Sequence, residues 1–233
     1  MSVLLAAGAG VAVAGLAAWG VYEPNSPLFG RAIGRGPRDR RVVYLTFDDG
    51  PNPTATESIL EILDAHGVPA AFFMVGEHVR RHPALARRVA AAGHEVGNHT
   101  LGHVKLHVRG PRRIRAELEG AHRLIVEATG LAPRAFRAPH GYRNPFVAPI
   151  VRRLGYRLVG WTFGVWDSAR PGAEEIRRRV RAKLRPGAIV LLHDGDGYDP
   201  AGDRRQTAAA LPGIVRDVRD SGYAFRPLAE LIA

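Results

Sequence analysis

Residues 42–51 read VVYLTFDDGP. The run of β-branched and aromatic residues carries no alternating polarity, which is the pattern of a strand buried on both faces. It ends in two adjacent carboxylates, Asp48 and Asp49, followed by Gly-Pro-Asn turn chemistry. Outward from this stretch, short apolar runs alternate with longer helical ones. Candidate strands are 42–47, 70–75, 94–98, 135–137, 157–161, 188–192 and 223–226. Helical patterns fill 54–66, 83–92, 111–129, 146–154, 173–184, 207–221 and 228–232. Within 111–129, Ile114, Leu118, Ala121 and Ile125 recur at helical spacing, with Arg and Glu opposite them. Repeated βα units imply a parallel sheet covered by helices. From residue 41 onward about 190 residues remain, fewer than the ~250 of a typical eight-fold barrel. The expected fold is therefore α/β: a distorted, incomplete (β/α) barrel of about seven units. No G-x-G-x-x-G follows the first strand, which argues against dinucleotide binding.

Composition narrows the function classes. The chain has 233 residues, of which 46% are hydrophobic, enough for a true core and too many for a disordered chain. Its 27 Gly and 17 Pro follow no collagen period. With no Cys there is no disulfide framework, thiol nucleophile or Cys-ligated zinc. Lys+Arg number 33 against 22 Asp+Glu, a formal charge of +11. The arginines are spread along helical stretches rather than gathered in a tract, and aromatics are only 7%, so nucleic acid is not an expected partner.

Residues 3–21 read VLLAAGAGVAVAGLAAWGV, free of charge and long enough to cross a bilayer. Trp19 and Tyr22 stand where an interfacial aromatic would anchor such a helix. The expected organisation is a transmembrane or signal-anchor segment at 1–22, a linker at 23–40 and a catalytic domain at 41–233. Cleavage near Ala12-Val13-Ala14 is the competing fate of the segment, although a basic region before it is missing. The positive-inside rule, applied to Arg31, Arg35, Arg38, Arg40 and Arg41, would place the domain in the cytoplasm.

The unusual polar residues gather at the C-terminal ends of the expected strands: Asp48-Asp49, His99, Arg137, Asp167 and His193-Asp194. In barrel enzymes that edge carries catalysis. Adjacent carboxylates are costly to keep together without a cation or an Arg nearby. His99 and His103 stand four apart, so on a helical turn both imidazoles would face one metal. His103 and His107 offer the same spacing in a competing register, and His99 is preferred because it directly ends a strand. Thr100 stands where a zincin would carry its Glu, so any general base must come from elsewhere, and Asp48 or Asp49 is available. Two His and one carboxylate leave positions open for water and substrate. His66, His78, His82, His94 and His122 read as surface or packing histidines. The series Asp194, Asp196, Asp199, Asp203 fails as a calcium loop, since Tyr198 takes its fifth position, and reads as a surface loop.

TFDDGP (46–51), NHTLGH (98–103), FRAPHG (136–141) and LLHDG (191–195), in this order and at these intervals, resemble the polysaccharide deacetylase family. This is carbohydrate esterase family 4, the NodB homology domain, and the resemblance covers residues 41–230. It implies a divalent-metal hydrolase, zinc being the expected ion, that removes acetyl groups from a glycan, usually on N-acetylglucosamine. It implies Asp48 as catalytic base, Asp49, His99 and His103 as metal ligands, Arg137 as the arginine positioning the base and His193 as general acid. Asp167 would tune His193. His140, Leu191, Pro139 and Trp161 would lie on the substrate side, His140 through its backbone N–H and Leu191 in the acetyl pocket. Two departures stand out. His140 replaces an aromatic Tyr, and the fourth motif, Gly164-Val165-Trp166-Asp167-Ser168, keeps only its second Asp.

Alternative readings are a small-molecule amide hydrolase of the same fold and a catalytically silent glycan-binding relative. A two-His-one-carboxylate iron oxygenase fits the ligands but not the βα pattern. The expected state is a monomer. A glycan substrate favours a single-pass protein of the cell membrane whose catalytic domain faces outward, against the charge of the linker.

Overall fold

The computed structural model describes the backbone of residues 2–233 and the side chains of residues 12–233. A first helix, α1 (Ser2–Tyr22), precedes the sheet. The strands are β1 (Val42–Asp48), β2 (Ala70–Met74), β3 (Glu95–Asn98), β4 (Ala135–Phe136), β5 (Arg157–Leu158), β6 (Phe163–Gly164), β7 (Ala188–His193) and β8 (Ala224–Phe225). Between them run α2 (Thr56–Ala65), α3 (Gly76–Arg81), α4 (Pro83–Ala91), α5 (Pro111–Thr129), α6 (Val147–Arg153), α7 (Ala173–Lys183) and α8 (Arg205–Asp220), with α9 (Ala229–Ile232) at the end. All strand pairs are parallel, in the order β5-β4-β3-β2-β1-β7-β6, with β8 against the first two residues of β1. This is a curled, incomplete barrel, as the βα alternation predicts. The sequence reading missed β6, two residues long, and α3, six residues long. Both are too short to show a period.

β1 is central because it is apolar on both faces. Val43, Leu45 and Phe47 pack into the helix-side core with Ile59, Leu63, Phe72, Val190 and Ile214. The other face carries Tyr44 beside Phe73 and Ile189. α5 keeps its expected bounds because both ends are specified: Pro111 opens it and Gly130, at φ 73, closes it. Its buried stripe includes Ile114, Leu118, Ala121 and Ile125.

Residues 23–40, expected as a linker, are laid on the domain. Ile33 bridges to Val159 beyond β5, and Arg35 to Ala188 of β7, so this segment lies along the open seam of the barrel. Thr162 Oγ1 donates to the Gly34 carbonyl at 2.7 Å. Higher up, the buried Arg143 guanidinium donates to the carbonyls of Gly30 (2.7 Å), Pro24 (3.0 Å) and Ser26 (2.8 Å). A buried charge-assisted hydrogen bond is worth about 1.5–3 kcal/mol, and this arginine makes three in a single clamp. Composition misled here: Pro, Gly and Arg suggest a loose tether, but Gly and Pro fit a close-lying strap and one Arg of the domain holds it.

Among the described residues no helix is long and apolar enough to cross a membrane, and part of the expected span, 3–11, lies outside the described side chains. In the described part of α1, residues 12–19 are exposed on every side.

Candidate active site

The C-terminal ends of β1 and β7 build the centre. The two strands are in register with Asp48 opposite His193 and Thr46 opposite Leu191. Parallel neighbours lie about 4.8 Å apart, so the carboxylate and the imidazole stand side by side on one face. Arg137, just past β4, is fully buried. Its Nη1 donates to Asp48 Oδ1 (2.7 Å) and Thr46 Oγ1 (2.9 Å), and its Nη2 to the Gly160 carbonyl (2.8 Å). The guanidinium stacks over Phe73 at 4.1 Å. Burial pushes the arginine's pKa down and Asp48 opposes that shift.

Asp49, His99 and His103 converge, with one donor atom of each within 4.8 Å of the others. Asp49 Oδ1 lies 3.0 Å from His103 Nε2 and 3.3 Å from His99 Nε2. His99 Nδ1 donates to the Arg137 carbonyl at 2.8 Å, which turns the Nε2 lone pair toward the carboxylate. Three lone-pair donors facing one another repel unless a cation lies between them. A proton on an imidazole can stand in for that cation. Burial would raise Asp49, but hydrogen bonds from His103 and His99 hold it well below the carboxylate range. Burial would lower His99, but Asp48 and Asp49 raise it. The set suits a small divalent ion that prefers N and O ligands, zinc among them.

The two histidines converge through loop geometry, correcting the helical-turn expectation. Thr100 (φ 71) and His103 (φ 51) adopt left-handed backbone, and no helix covers 99–103. Side chains compensate this strain. Asn98 Oδ1 accepts from Thr100 N–H (2.9 Å), and buried Glu117 of α5 accepts from Gly102 N–H (2.9 Å). Opposite, a Cβ at Gly197 would collide with the His103 ring. His107 is outside the cluster, packing its ring against Tyr22 and Tyr142.

His193 Nδ1 is 2.9 Å from Asp167 Oδ1, while its backbone N–H donates to Oδ2 at 2.8 Å. Thr207 Oγ1 also donates to that oxygen at 2.9 Å. Burial alone would depress His193, yet Asp167, then Asp49 and Asp48, outweigh it and push it up to about 9. His193 is thus protonated at neutral pH. Burial would also raise Asp167, but His193 and Thr207 hold it low.

Asp48, Asp49, His99, His103 and His193 line a cavity of about 450 Å³ together with His140, Tyr142, Trp161, Trp166, Leu191, Asp196 and Tyr198. Pro139 is buried in the turn that carries His140 and does not line the cavity. His140 sits at φ 57, its Nε2 is 2.8 Å from the Tyr198 hydroxyl, and burial beside His103 lowers it to about 4.

Several residues escaped the sequence reading. His78 is buried beneath the site, with Nδ1 2.8 Å from the Asp49 carbonyl. Asp194 is buried, not on a surface loop; Thr56 Oγ1 donates to it at 2.6 Å and burial pushes it up to about 7. Asp196 and Tyr198 line the cavity, where Arg204 fixes Asp196 at 2.8 Å. Trp166, at φ 57 and 74% exposed, stands on the rim. Nothing in spacing marks His78, but Asp194 lies within the LLHDG motif, where its burial went unread, and Tyr198 stands three residues beyond it.

The family model for polysaccharide deacetylase matches residues 35–159. This chain belongs to the polysaccharide deacetylase family. The named deacetylases of the family are hydrolases acting on amide bonds, and this chain is such an enzyme. It is 42% identical over 200 residues to a chitooligosaccharide deacetylase of Bradyrhizobium sp. (strain ANU 289), covering 82% of this chain and 90% of that one. It is 36% identical over 198 residues to a peptidoglycan-N-acetylglucosamine deacetylase of Bacillus cereus, covering 84% and 90%. Among solved structures, a peptidoglycan N-acetylglucosamine deacetylase superposes with TM-score 0.81 at 28% identity, over 86% of this chain and 92% of that one. A family pseudoenzyme from Bacillus anthracis superposes with TM-score 0.79 at 31% identity, over 87% and 69%.

The ligand register yields a direct test. His99→Ala should abolish stoichiometric binding of a divalent ion, and with it turnover. His107→Ala should leave ion content near one per chain. Metal analysis of the two purified variants decides this, and full occupancy in His99→Ala would show that the register is wrong.

Proposed function

We propose that this deacetylase is metal-dependent and removes N-acetyl groups from N-acetylglucosamine residues of a glycan. The observation that carries the reading is the pairing of two poised groups across β1 and β7. Arg137 pairs with Asp48 at 2.7 Å and fixes its direction, and Asp167 pairs with His193 at 2.9 Å and raises its pKa. Asp49, His99 and His103 would hold a divalent ion, which when bound would supply acidification of a water molecule and polarisation of the acetyl carbonyl. Asp48 takes the proton as the water oxygen attacks the carbonyl carbon. The backbone N–H of His140 stabilises the charge developing on the carbonyl oxygen. His193 delivers its proton to the nitrogen as the C–N bond breaks, leaving acetate and a free amine. Leu191 and Trp161 wall the cavity for the acetyl methyl group, and Trp166 and Tyr198 offer exposed ring faces to sugar.

Two named relatives act on N-acetylated glycans, a chitooligosaccharide and peptidoglycan, which supports this substrate class. The pseudoenzyme neighbour is a reminder that this fold also occurs without activity. This chain retains base, ligands and acid together, which favours catalysis over silent binding. In this reading α1 is a membrane anchor and the catalytic domain faces outward, where such polymers lie. Protease added to intact cells should then reach the domain, and protection until lysis would reverse the orientation.

Acetate and free-amine release from acetylated chitooligosaccharides and peptidoglycan tests the activity. Both products should form in equal amounts, stop on chelation and return with one equivalent of divalent ion. The pH profile tests the roles. The acid must be protonated, so kcat/KM falls as pH rises through the pKa of His193. Asp167→Asn removes what raises that value, so the alkaline limb should move to lower pH. An unmoved limb would remove His193 from the acid role.

A further inference from the structure

The apolar helix joins the domain at one wall of the cavity. Val21, at its end, accepts a hydrogen bond from Arg143 N–H at 3.1 Å. The Tyr22 ring meets Tyr142 edge-on at 5.0 Å, and Tyr142 lines the cavity. Asn25 Nδ2 donates to the Trp161 carbonyl at 2.8 Å, holding the strap to a second lining residue. Trp19 is one turn earlier, about 4.5 Å along the helix.

The surface around this junction differs from the rest of the domain. Val108 is 64% exposed and Phe146 is 49% exposed. One side chain ties their loops together: Asn144 Nδ2 donates to the carbonyls of Leu106 (3.1 Å) and Arg109 (2.9 Å), while its Oδ1 accepts from Phe146 N–H (3.0 Å). The segments forming this face, 23–38, 99–116 and 138–166, contain one acidic residue, the half-buried Glu23, against Arg31, Lys105 and Arg109, all exposed. Exposed apolar side chains on a face of net positive charge match an anionic bilayer surface, with its apolar interior and negative headgroups.

We infer that the cavity-bearing face of the domain docks on an anionic lipid bilayer, so that the enzyme takes glycan tethered at the membrane surface. The inference rests on the anchoring and deacetylase readings above. The strap prevents the domain from swinging free, because Arg143 and Asn25 fix it within the first few residues after the helix. A loose linker would let the domain range into a distant polymer, whereas this attachment keeps the cavity beside the headgroups.

The chain has no cysteine, so single cysteines report unambiguously. Val108→Cys, Phe146→Cys and Leu131→Cys, carrying a polarity-sensitive fluorophore, are to be compared in the full chain on phosphatidylcholine–phosphatidylglycerol vesicles. Leu131 is equally apolar and 50% exposed but follows α5 at the opposite end of the barrel. Labels at 108 and 146 should blue-shift and be quenched by brominated lipid at least twofold more than the label at 131. Equal signals in chains that float with the vesicles would overturn docking. Failure to float would overturn anchoring, and docking with it. The substrate arm uses an acetylated chitooligosaccharide coupled to phosphatidylethanolamine, compared with the same oligosaccharide free. The double variant Val108→Asp, Phe146→Asp should lose several-fold in kcat/KM on the tethered form and little on the free one. Equal loss on both, or none, would overturn the substrate inference. A wild-type chain inactive on both forms would instead overturn the deacetylase reading, while the labels still decide docking.

Discussion

The site depends on one buried arginine. Arg137 is fully enclosed, and its guanidinium spans Asp48, Thr46 and the Gly160 carbonyl, while its own carbonyl orients His99. Asp48 and Asp49 are consecutive and both buried, a combination that repulsion and desolvation oppose. The structure separates their tasks. Asp49, at φ 75, turns away toward the two histidines, and Asp48 turns toward the arginine. One carboxylate is left for a cation to pair and the other is paired permanently. Removing one partner of such a buried pair typically costs about 3–5 kcal/mol, because the remaining charge is stranded.

The same logic recurs across the cleft. Asp167 is to His193 what Arg137 is to Asp48: a fully buried partner of opposite charge that fixes its direction. The β1–β7 register then holds the two groups side by side. The sheet contributes rigidity and the loops contribute reach, since His99, His103 and His140 arrive on backbone turned to positive φ or leaving a strand end.

Much of this was legible in the sequence because it follows from period and position. Unbroken apolar runs marked the buried parallel strands, and polar residues beyond them marked the catalytic edge. The cluster of Asp49, His99 and His103 was readable for that reason. Their mode of approach was not, because left-handed backbone at Thr100 and His103 leaves no periodic trace. The strap was misjudged for the opposite reason. Its composition is that of a tether, and distant partners make it part of the fold, among them Arg143, 113 residues from Gly30, and Thr162. His78 was invisible because it acts through a backbone carbonyl of Asp49, a contact that no spacing encodes. Trp166 was passed over in the altered fourth motif, of which only Asp167 was recognised, yet it lines the cavity.

The division of labour between the two aspartates is the central claim, and one comparison tests it most directly. Asp48→Asn, purified and loaded with divalent ion, is to be assayed for ion content and for acetate release. The account predicts one ion per chain, as in the unmodified protein, with turnover lower by about 10²–10⁴, the usual contribution of a positioned base. Loss of the ion together with activity, or retention of both, would contradict it.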